Sequence, residues 1–263
     1  MRRTPSLGNP ILVDLTAANL DRYPCCGIKD PAHPGLMCKR GWLKTHFALG
    51  LKAKILLGDD DKPCGYIEYL PGEFAWRGVS AAGYMFIHCV WNQSKRAQRR
   101  GWGSLLVQAC LHDAQSAGMN GVAAIAREGP WLAGRSLFVA NGFTPVATAA
   151  PDYQLMVFKF KPGAADPAFR GGHAEWAARL NKGLTIIRSA QCPYIAKFAA
   201  EVAQTAEDEY QIKPKTIELA SWRDAQDAPT PYAVFALVYK GRVLADHQIS
   251  RTRFRNIMNK LQR

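Results

Sequence analysis

The chain has 263 residues, 48% hydrophobic and 21% charged, which is enough apolar sequence for one large or two smaller packed domains and argues against a disordered protein. Its formal net charge of +13 favours anionic partners: a phosphorylated cofactor, nucleic acid or an acidic membrane surface. No signal-peptide pattern and no bilayer-length apolar run occur, so we expect a cytoplasmic protein without membrane association, whose seven cysteines are reduced.

The first 160 residues alternate short apolar runs with turn-forming residues, which predicts a sheet with a few helices. The predicted strands are 11–15, 52–57, 64–70, 84–91, 121–126, 144–148 and 153–160. The predicted helices are 19–22, 38–49, 103–117 and 134–140. An irregular connection, 71–82, joins the third strand to the fourth.

The composition changes at residues 161–181, where Gly, Pro and Ala predict a linker. Beyond it the order is strand, helix, strand, strand, strand, helix. The predicted elements are 184–188, 192–210, 215–219, 233–239, 242–248 and a final helix capped by Ser250. The sequence therefore predicts two α/β domains, 11–160 and 182–263.

The most informative segment is a glycine-punctuated loop that joins strand 84–91 to helix 103–117. It reads Gln98-Arg99-Arg100-Gly101-Trp102-Gly103-Ser104. The glycines allow a ligand to approach the backbone, and a helix N-terminus offers unpaired N–H groups and a positive dipole end. Together with the positive charges of Arg96, Arg99 and Arg100, these features predict a site for a pyrophosphate.

Several motifs together resemble those of the GNAT N-acetyltransferase family. The order of elements, the spacing of Gln98, Gly101 and Gly103, and the Asn-Gly-Phe at 141–143 are similar to that family. Three further segments resemble the YoaP type of GNAT protein: 67–77, 83–89 and 187–194. The resemblance covers the chain from about residue 11 to its end. It implies a GNAT acyl-CoA N-acyltransferase fold with a mixed sheet (α/β, α+β).

The same resemblance implies acetyl transfer from acetyl-CoA, as co-substrate, to a primary amine, for which we expect a small-molecule acceptor. The thioester would lie between strands 84–91 and 121–126, and a backbone N–H near Val90 would hold the developing oxyanion. The residues expected to bind the coenzyme are Val90, Gln98, Arg99, Arg100, Gly101, Trp102, Gly103 and Ser104.

An amine acceptor must lose a proton, and four side chains are candidates for the base: Glu68, Glu73, His88 and Glu128. Glu68 lies in an apolar strand, where it is either a functional carboxylate or an outward-facing residue. His88 also lies in an apolar strand, where a hydrogen-bonded core histidine is the alternative. Strict strand alternation predicts that only one of His88 and Cys89 faces the acceptor.

One position departs from the family pattern. Many GNAT enzymes carry a tyrosine that protonates the leaving thiolate, and the corresponding residue here is Phe138. Ser136 and Tyr153 are weak substitutes. Trp76, Arg77 and Tyr84 cluster around the irregular connection 71–82. Aromatic and cationic residues there suit an anionic or amino-acid-like acceptor, although packing of a long loop explains them equally well.

Cys25, Cys26 and Cys38 lie in or after a Pro- and Gly-rich loop. Three thiols suit a soft metal or metalloid, but the spacing is not that of a zinc site. We therefore expect unpaired cysteines and no bound metal.

The C-terminal order of elements is similar to that of a thioredoxin-like domain. Cys192 then stands at the nucleophile position, where a helix N-terminus lowers a thiol's pKa, and Pro231 at the cis-proline position. The motif Cys192-Pro-Tyr-Ile195 lacks a resolving cysteine, so an internal dithiol cycle is excluded. Monothiol chemistry, with Cys192 as a catalytic candidate, ligand binding and a structural role remain.

The predicted function is therefore N-acetyl transfer, with Glu68, His88 and Cys192 as candidate catalytic residues. The alternative is a CoA-binding protein that carries a monothiol binding or redox module. Docking on nucleic acid is a third, less favoured class, because no nucleic-acid motif accompanies the charge.

Overall fold

The N-terminal part of the fold is a mixed seven-stranded sheet, seen in a computed structural model that describes residues 10–23, 25–28, 30, 32–58, 61–92 and 101–262. The strands of this part are β1 Ile11–Leu15, β2 Lys52–Leu57, β3 Pro63–Pro71, β4 Val79–Ser80, β5 Tyr84–Asn92, β6 Gly121–Ala126, β7 Thr144–Ala149 and β8 Tyr153–Lys159. The sheet has the order β1-β2-β3-β5-β6-β8-β7. Its strand pairs are antiparallel except β5 with β6, which is parallel.

Helices cover both faces of this sheet. They are α1 Pro34–Phe47, α2 Trp102–Ser116 and α3 Arg135–Val139, and a single 3-10 turn spans Gly72–Phe74. The apolar side chains of α2, among them Leu106, Val107 and Cys110, form one core with β5 and β6. Leu36 and Leu43 of α1 belong to a second core on the opposite face. Each face of the sheet therefore has its own apolar layer.

The predicted helix at 19–22 is wrong, because side chains take the local hydrogen bonds that a helix would need. Asn19 Oδ1 accepts from the Thr16 N–H at 2.8 Å, and Asn19 Nδ2 donates to the Asp14 carbonyl at 2.8 Å. This local bonding stabilises a turn. The next helix, α1, begins four residues earlier than predicted, since Pro34 suits a first helical position and His33 Nδ1 caps the Gly35 N–H.

The C-terminal part is a four-stranded sheet accompanied by three helices. Its elements are β10 Leu184–Arg188, α5 Ile195–Tyr210, β11 Lys215–Glu218, α6 Trp222–Gln226, β12 Phe235–Tyr239, β13 Arg242–Ala245 and α7 Arg251–Leu261. The strand order is β11-β10-β12-β13, with β10 parallel to β11 and the other pairs antiparallel. The α6 helix was not predicted, although its Ser221–Asp224 capping box is a sequence signal.

The residues between the two sheets, predicted as a linker, are partly structured. A short strand, β9 Ala168–Phe169, pairs with β4, and a helix, α4 His173–Ala178, follows it. The Thr230–Pro231 bond is trans, contrary to the cis-proline expected there, and the cis peptide among the described residues is Ala150–Pro151. The thioredoxin-like assignment stays a prediction. None of the described helices is long and apolar enough to cross a membrane.

A buried charge network joins the two sheets. Lys39 Nζ and Glu68 Oε2 lie 2.5 Å apart, and both side chains are fully buried. Tyr66 OH donates to the Glu68 carboxylate, and so does the side-chain amide of Gln191, which follows β10. Lys39 Nζ also donates to the Gln191 carbonyl at 2.5 Å. Burial is the largest influence on Lys39 and would lower its pKa, but the charge and hydrogen bond of Glu68, together with the nearby cysteines, raise the pKa overall.

We predict that Lys39→Met lowers the free energy of unfolding by about 3–5 kcal/mol, because it leaves the Glu68 carboxylate buried without a counter-charge. The double variant Lys39→Met/Glu68→Gln removes both charges and should recover about 2 kcal/mol of that loss. Urea unfolding of the full chain measures both values.

Lys197→Met is the matched control, since the Lys197 side chain is 59% exposed and pairs with Glu201 one turn along α5 at 4.0 Å. We expect it to cost about 0.5 kcal/mol or less. Equal losses for Lys39→Met and Lys197→Met, or a double variant no more stable than the single one, would contradict a buried ion pair at the centre of this network.

Candidate functional site

A bulge in β5 shapes the site. Glu68 pairs with Cys89 and Tyr69 pairs with Ile87, so His88 is an extra residue without a partner in β3. The strict alternation expected for β5 is therefore wrong. His88 and Cys89 both line the same cavity, because the bulge re-aims the side chains that follow it.

The two parallel strands separate beside this bulge. Pairing of β5 with β6 covers Tyr84 to Ile87 on β5 and Gly121 to Ala124 on β6, and it ends there. Both strands continue beyond this point, β5 to Asn92 and β6 to Ala126. Backbone groups of β5 beyond Ile87 that face β6 are thus free of sheet pairing to that strand, as the predicted site for a thioester requires.

A cavity of about 360 Å³ opens at the separation, between the N-terminal sheet and the C-terminal part of the chain. Its walls are mostly aromatic and sulfur-containing, with few polar groups. The lining residues are Cys26, Arg77, His88, Cys89, Val90, Trp91, Trp131, Leu132, Gln191, Cys192, Tyr194 and Tyr232. The combination of an apolar wall with a few convergent polar groups is typical of a small-molecule site.

His88 is held as a neutral side chain in the cavity wall. Its Nε2 accepts from the Trp76 backbone N–H at 2.8 Å, and the residue is 2% exposed. Its other ring nitrogen, Nδ1, is buried without a hydrogen-bond partner of ordinary geometry. Burial, then the positive charges of Arg77 and Lys39, lower the pKa of His88 well below its ordinary value. His88 is therefore a poor proton acceptor through Nε2.

Glu68, the other predicted base, lies behind the cavity wall. Gln191 lines the cavity and donates to Glu68, whereas Glu68 itself is fully buried against Lys39 and Tyr66. Contact with an acceptor would have to pass through Gln191. A catalytic role for Glu68 stays a prediction, and the geometry gives it a positioning role.

Three cysteines meet in the cavity, in a combination that the sequence did not indicate. Cys26 comes from the N-terminal loop, Cys89 from β5 and Cys192 from the start of the C-terminal part. The lowered pKa expected for Cys192 is wrong, since burial raises the pKa of this thiol to about 11. Among the described residues no cluster of His, Cys, Asp and Glu side chains is arranged to hold a metal ion. Cys38 lies exposed on α1.

The coenzyme loop is described from Gly101 onward; Gln98, Arg99 and Arg100 lie outside the described residues. Gly101 is left-handed (φ 74°) at the N-cap of α2. With its amide in the better-bonded orientation, Asn92 accepts from the Gly103 N–H at 3.1 Å, which joins the end of β5 to the start of α2. Ser104 Oγ accepts from Asn141 Nδ2 at 3.0 Å. Trp102 is half-buried beside these residues.

The remaining candidates have structural partners. Glu73 accepts from the Gly83 N–H at 2.8 Å, and Glu128 accepts from the Arg135 N–H at 3.0 Å. Tyr153 donates to Asp246 at 2.9 Å, and burial raises its pKa, so it is not available as an acid. Phe138 is buried and packs edge-on against Phe143.

Sequence reasoning missed most of the cavity residues of the C-terminal part. Gln191 and Tyr194 lie in segment 187–194, which carried the family resemblance, but nothing in the pattern indicated that they face β5. Tyr232 and Trp131 had no recognisable signal. Lys39 reads as a surface lysine on a helix, because its partner Glu68 is 29 positions away in the sequence.

Comparisons with known proteins match two segments of the chain to families. Residues 29–143 match the acetyltransferase (GNAT) family and residues 215–256 match the YoaP-like family. The uncharacterized N-acetyltransferase YoaP of Bacillus subtilis is 29% identical over 253 residues, 95% of this chain and 98% of that protein.

Among solved structures, the phosphinothricin acetyltransferase (Pat) of Sinorhizobium meliloti in complex with acetyl-CoA is 16% identical, with a TM-score of 0.44, over 60% of this chain and 93% of that one. A GNAT family acetyltransferase of Brucella melitensis in complex with acetyl-CoA is 16% identical, with a TM-score of 0.38, over 62% and 97%. Residues 29–143 thus match the GNAT acetyltransferase family, and a match to the YoaP-like family follows them at residues 215–256.

Proposed function

We propose that this protein transfers the acetyl group of acetyl-CoA to a primary amine of a small molecule, and that the cavity between the two sheets is the acceptor site. The separation of β5 from β6 after Ile87 carries the proposal. It opens the edge of β5 at the cavity, and the same strand ends at Asn92, which contacts the first turn of α2. Donor and acceptor sites would thus be joined by one strand.

In this proposal the start of α2 binds the coenzyme. The first N–H groups of a helix lack intrahelical partners, so the first turn of α2 suits the pyrophosphate, although Asn92 already holds the Gly103 N–H. Gln98, Arg99 and Arg100 would add a side-chain amide and positive charge. The N–H of Val90, or of a residue within two positions of it, would hold the thioester oxygen in the splayed part of β5.

The chemical step would be direct attack. The amine nitrogen bonds to the thioester carbon, the carbon–sulfur bond breaks, and the proton lost by nitrogen ends on the CoA sulfur, carried by water. Phe138 has no proton to give, and the His88 Nε2 is occupied by Trp76. His88 and Cys192 would therefore orient the acceptor as neutral wall groups, and Glu68 would position Gln191.

A screen of small primary amines with acetyl-CoA, following release of free CoA, tests the function. We expect acetylation of at least one amine small enough for a cavity of about 360 Å³. Mass spectrometry of the product should show an N-acetyl group. Tight binding of acetyl-CoA with no acetylated amine in the panel would contradict the proposed activity and leave a coenzyme-binding protein.

Two glycines at opposite ends of α2 give a matched test of the coenzyme site. Gly101 (φ 74°) and Gly118 (φ 69°) are both left-handed, and a Cβ at either would meet no atom of the described residues within 4 Å. Alanine at each should cost about 1 kcal/mol of stability because of backbone strain. We expect Gly101→Ala to raise the dissociation constant of acetyl-CoA about tenfold, by re-aiming the N–H groups of the first turn.

Gly118→Ala should leave that constant unchanged, because it strains the end of α2 that is remote from the proposed pyrophosphate site. Calorimetric titration of the full chain with acetyl-CoA measures both. Equal weakening by the two substitutions would show that strain in α2 acts on binding indirectly, and would remove the support for a pyrophosphate at Gly101.

The pH dependence should follow the acceptor and not the enzyme. Burial lowers the pKa of His88 well below its ordinary value, so it is neutral above pH 6, and the pKa of Cys192 is raised to about 11, so its thiol is neutral below pH 9. We therefore expect kcat/KM to rise about tenfold per pH unit up to the pKa of the acceptor's own ammonium group. Two acceptors of different basicity should give correspondingly shifted profiles. A common break near pH 6.5 that His88→Gln removes would instead identify His88 as the base.

A further inference from the structure

Three charged side chains are buried where the two sheets meet. Lys39 and Glu68 are fully buried and form an ion pair. Arg77 is 2% exposed. The group therefore has one positive charge in excess, held by Arg77. A buried charge without a counter-charge is costly, so such a group is expected to have an anionic partner.

Within the described residues Arg77 has no carboxylate partner. Its Nη1 donates to the Trp76 carbonyl at 2.7 Å and, at 3.3 Å, to Gln191 Oε1, and its Nη2 donates to the His88 carbonyl at 2.8 Å. The guanidinium also lies over the ring of Tyr232, 5.0 Å from its centre. These neutral contacts fix the orientation of the guanidinium and leave its charge uncompensated.

Arg77 lines the cavity, and its position relative to β5 is informative. Its contact to the His88 carbonyl places the guanidinium immediately beyond Ile87, where β5 and β6 separate. An anion bound to Arg77 would therefore lie next to the place where acetyl transfer is proposed. An α-amino acid carries its amine on the carbon next to its carboxylate, so it would present the amine to that place.

The rest of the cavity selects the body of the ligand. Trp91, Trp131, Tyr194 and Tyr232 supply aromatic surface, and Cys26, Cys89 and Cys192 supply small, weakly polar surface. No described carboxylate is among the lining residues, so a second positive charge on the ligand would have no partner there. The volume of about 360 Å³ is near the lower end of ligand sites.

From these observations we infer that Arg77 is a carboxylate-binding residue and that the acceptor is an α-amino acid with an apolar or aromatic side chain. That the bound amino acid is the acceptor rests on the proposed function, whereas the carboxylate site at Arg77 does not depend on it. The C-terminal part of the chain completes the site, since Gln191 and Tyr232 hold the guanidinium in place.

Binding of matched ligand pairs to the full chain with saturating CoA tests the inference without requiring activity. The pairs are L-phenylalanine with L-phenylalaninamide and L-leucine with L-leucinamide, each titrated calorimetrically. We expect the carboxylate member of at least one pair to bind at least tenfold more tightly than its amide, because a guanidinium–carboxylate contact is charge-assisted and bidentate. Equal affinities within both pairs, or no binding by any of the four, would overturn the inference.

Substitutions locate the effect. Arg77→Gln should abolish the preference for the carboxylate, and Arg77→Lys should retain part of it, since lysine keeps the charge and loses the planar fork. Arg170→Gln is the control, because Arg170 is paired with Asp227 at 2.8 Å outside this cavity. If the Arg77 variants fail to fold, the comparison of acids with amides on the unmodified chain still decides.

The acetyltransferase function and the carboxylate site at Arg77 can be contradicted by different results. Acetylation of amines without any preference for a carboxylate would leave the acetyltransferase function in place and overturn the role of Arg77. Binding of the amino acids that depends on Arg77, with no CoA released from acetyl-CoA, would sustain the carboxylate site and overturn its use as the acceptor site.

Discussion

The constraint on which the rest of the structure depends is the burial of the Glu68 carboxylate. A charge in that position is tolerable only with its full set of partners, and these come from distant parts of the chain: Lys39 from α1, Tyr66 from the same strand and Gln191 from the C-terminal part. The requirement to satisfy one carboxylate thereby fixes how the C-terminal sheet sits against the N-terminal one. Gln191 has two functions in this arrangement, because it also accepts from Arg77 at 3.3 Å. The geometry of the cavity is thus coupled to the polar junction that holds the two sheets together.

The second determinant is a local irregularity, the bulge at His88. A regular β5 would send alternate side chains to opposite faces and would keep its backbone paired on both edges. The extra residue places His88 and Cys89 on the same cavity, and parallel pairing to β6 stops at Ile87. The cavity and the open strand edge therefore have a common location. Their coincidence is the reason for assigning acceptor and thioester to adjacent places in the proposed reaction.

The sequence was sufficient for the order of the principal strands and for the start of α2 after Gly101, because apolar periodicity and glycine placement are local signals. It was insufficient wherever a side chain competes with the backbone or a contact is remote in sequence. Asn19 replaces a predicted helix with a turn, and no residue pattern around His88 indicates the bulge. The pKa of Cys192 was predicted to fall because it precedes a helix, but burial, which only the packed structure reveals, raises it to about 11. The pairing of Lys39 with Glu68 likewise joins residues that no periodic pattern connects.

The C-terminal part of the chain acquires a physical rationale from these contacts. The Cys192 thiol is neutral at physiological pH, since its pKa is raised to about 11, and its own motif has no resolving cysteine, so it lacks the thiolate that redox chemistry requires. The same region nevertheless supplies Gln191, Cys192, Tyr194 and Tyr232 to the cavity wall. Its contribution is therefore shape and polarity in the wall of the proposed acceptor site, adjacent to β5, which lies within the residues that match the GNAT family. An acetyltransferase domain on its own would leave Arg77 without Gln191 and Tyr232, and would leave Glu68 without one of its donors. On this argument the C-terminal part is a structural component of the proposed acceptor site and not a second, independent enzyme.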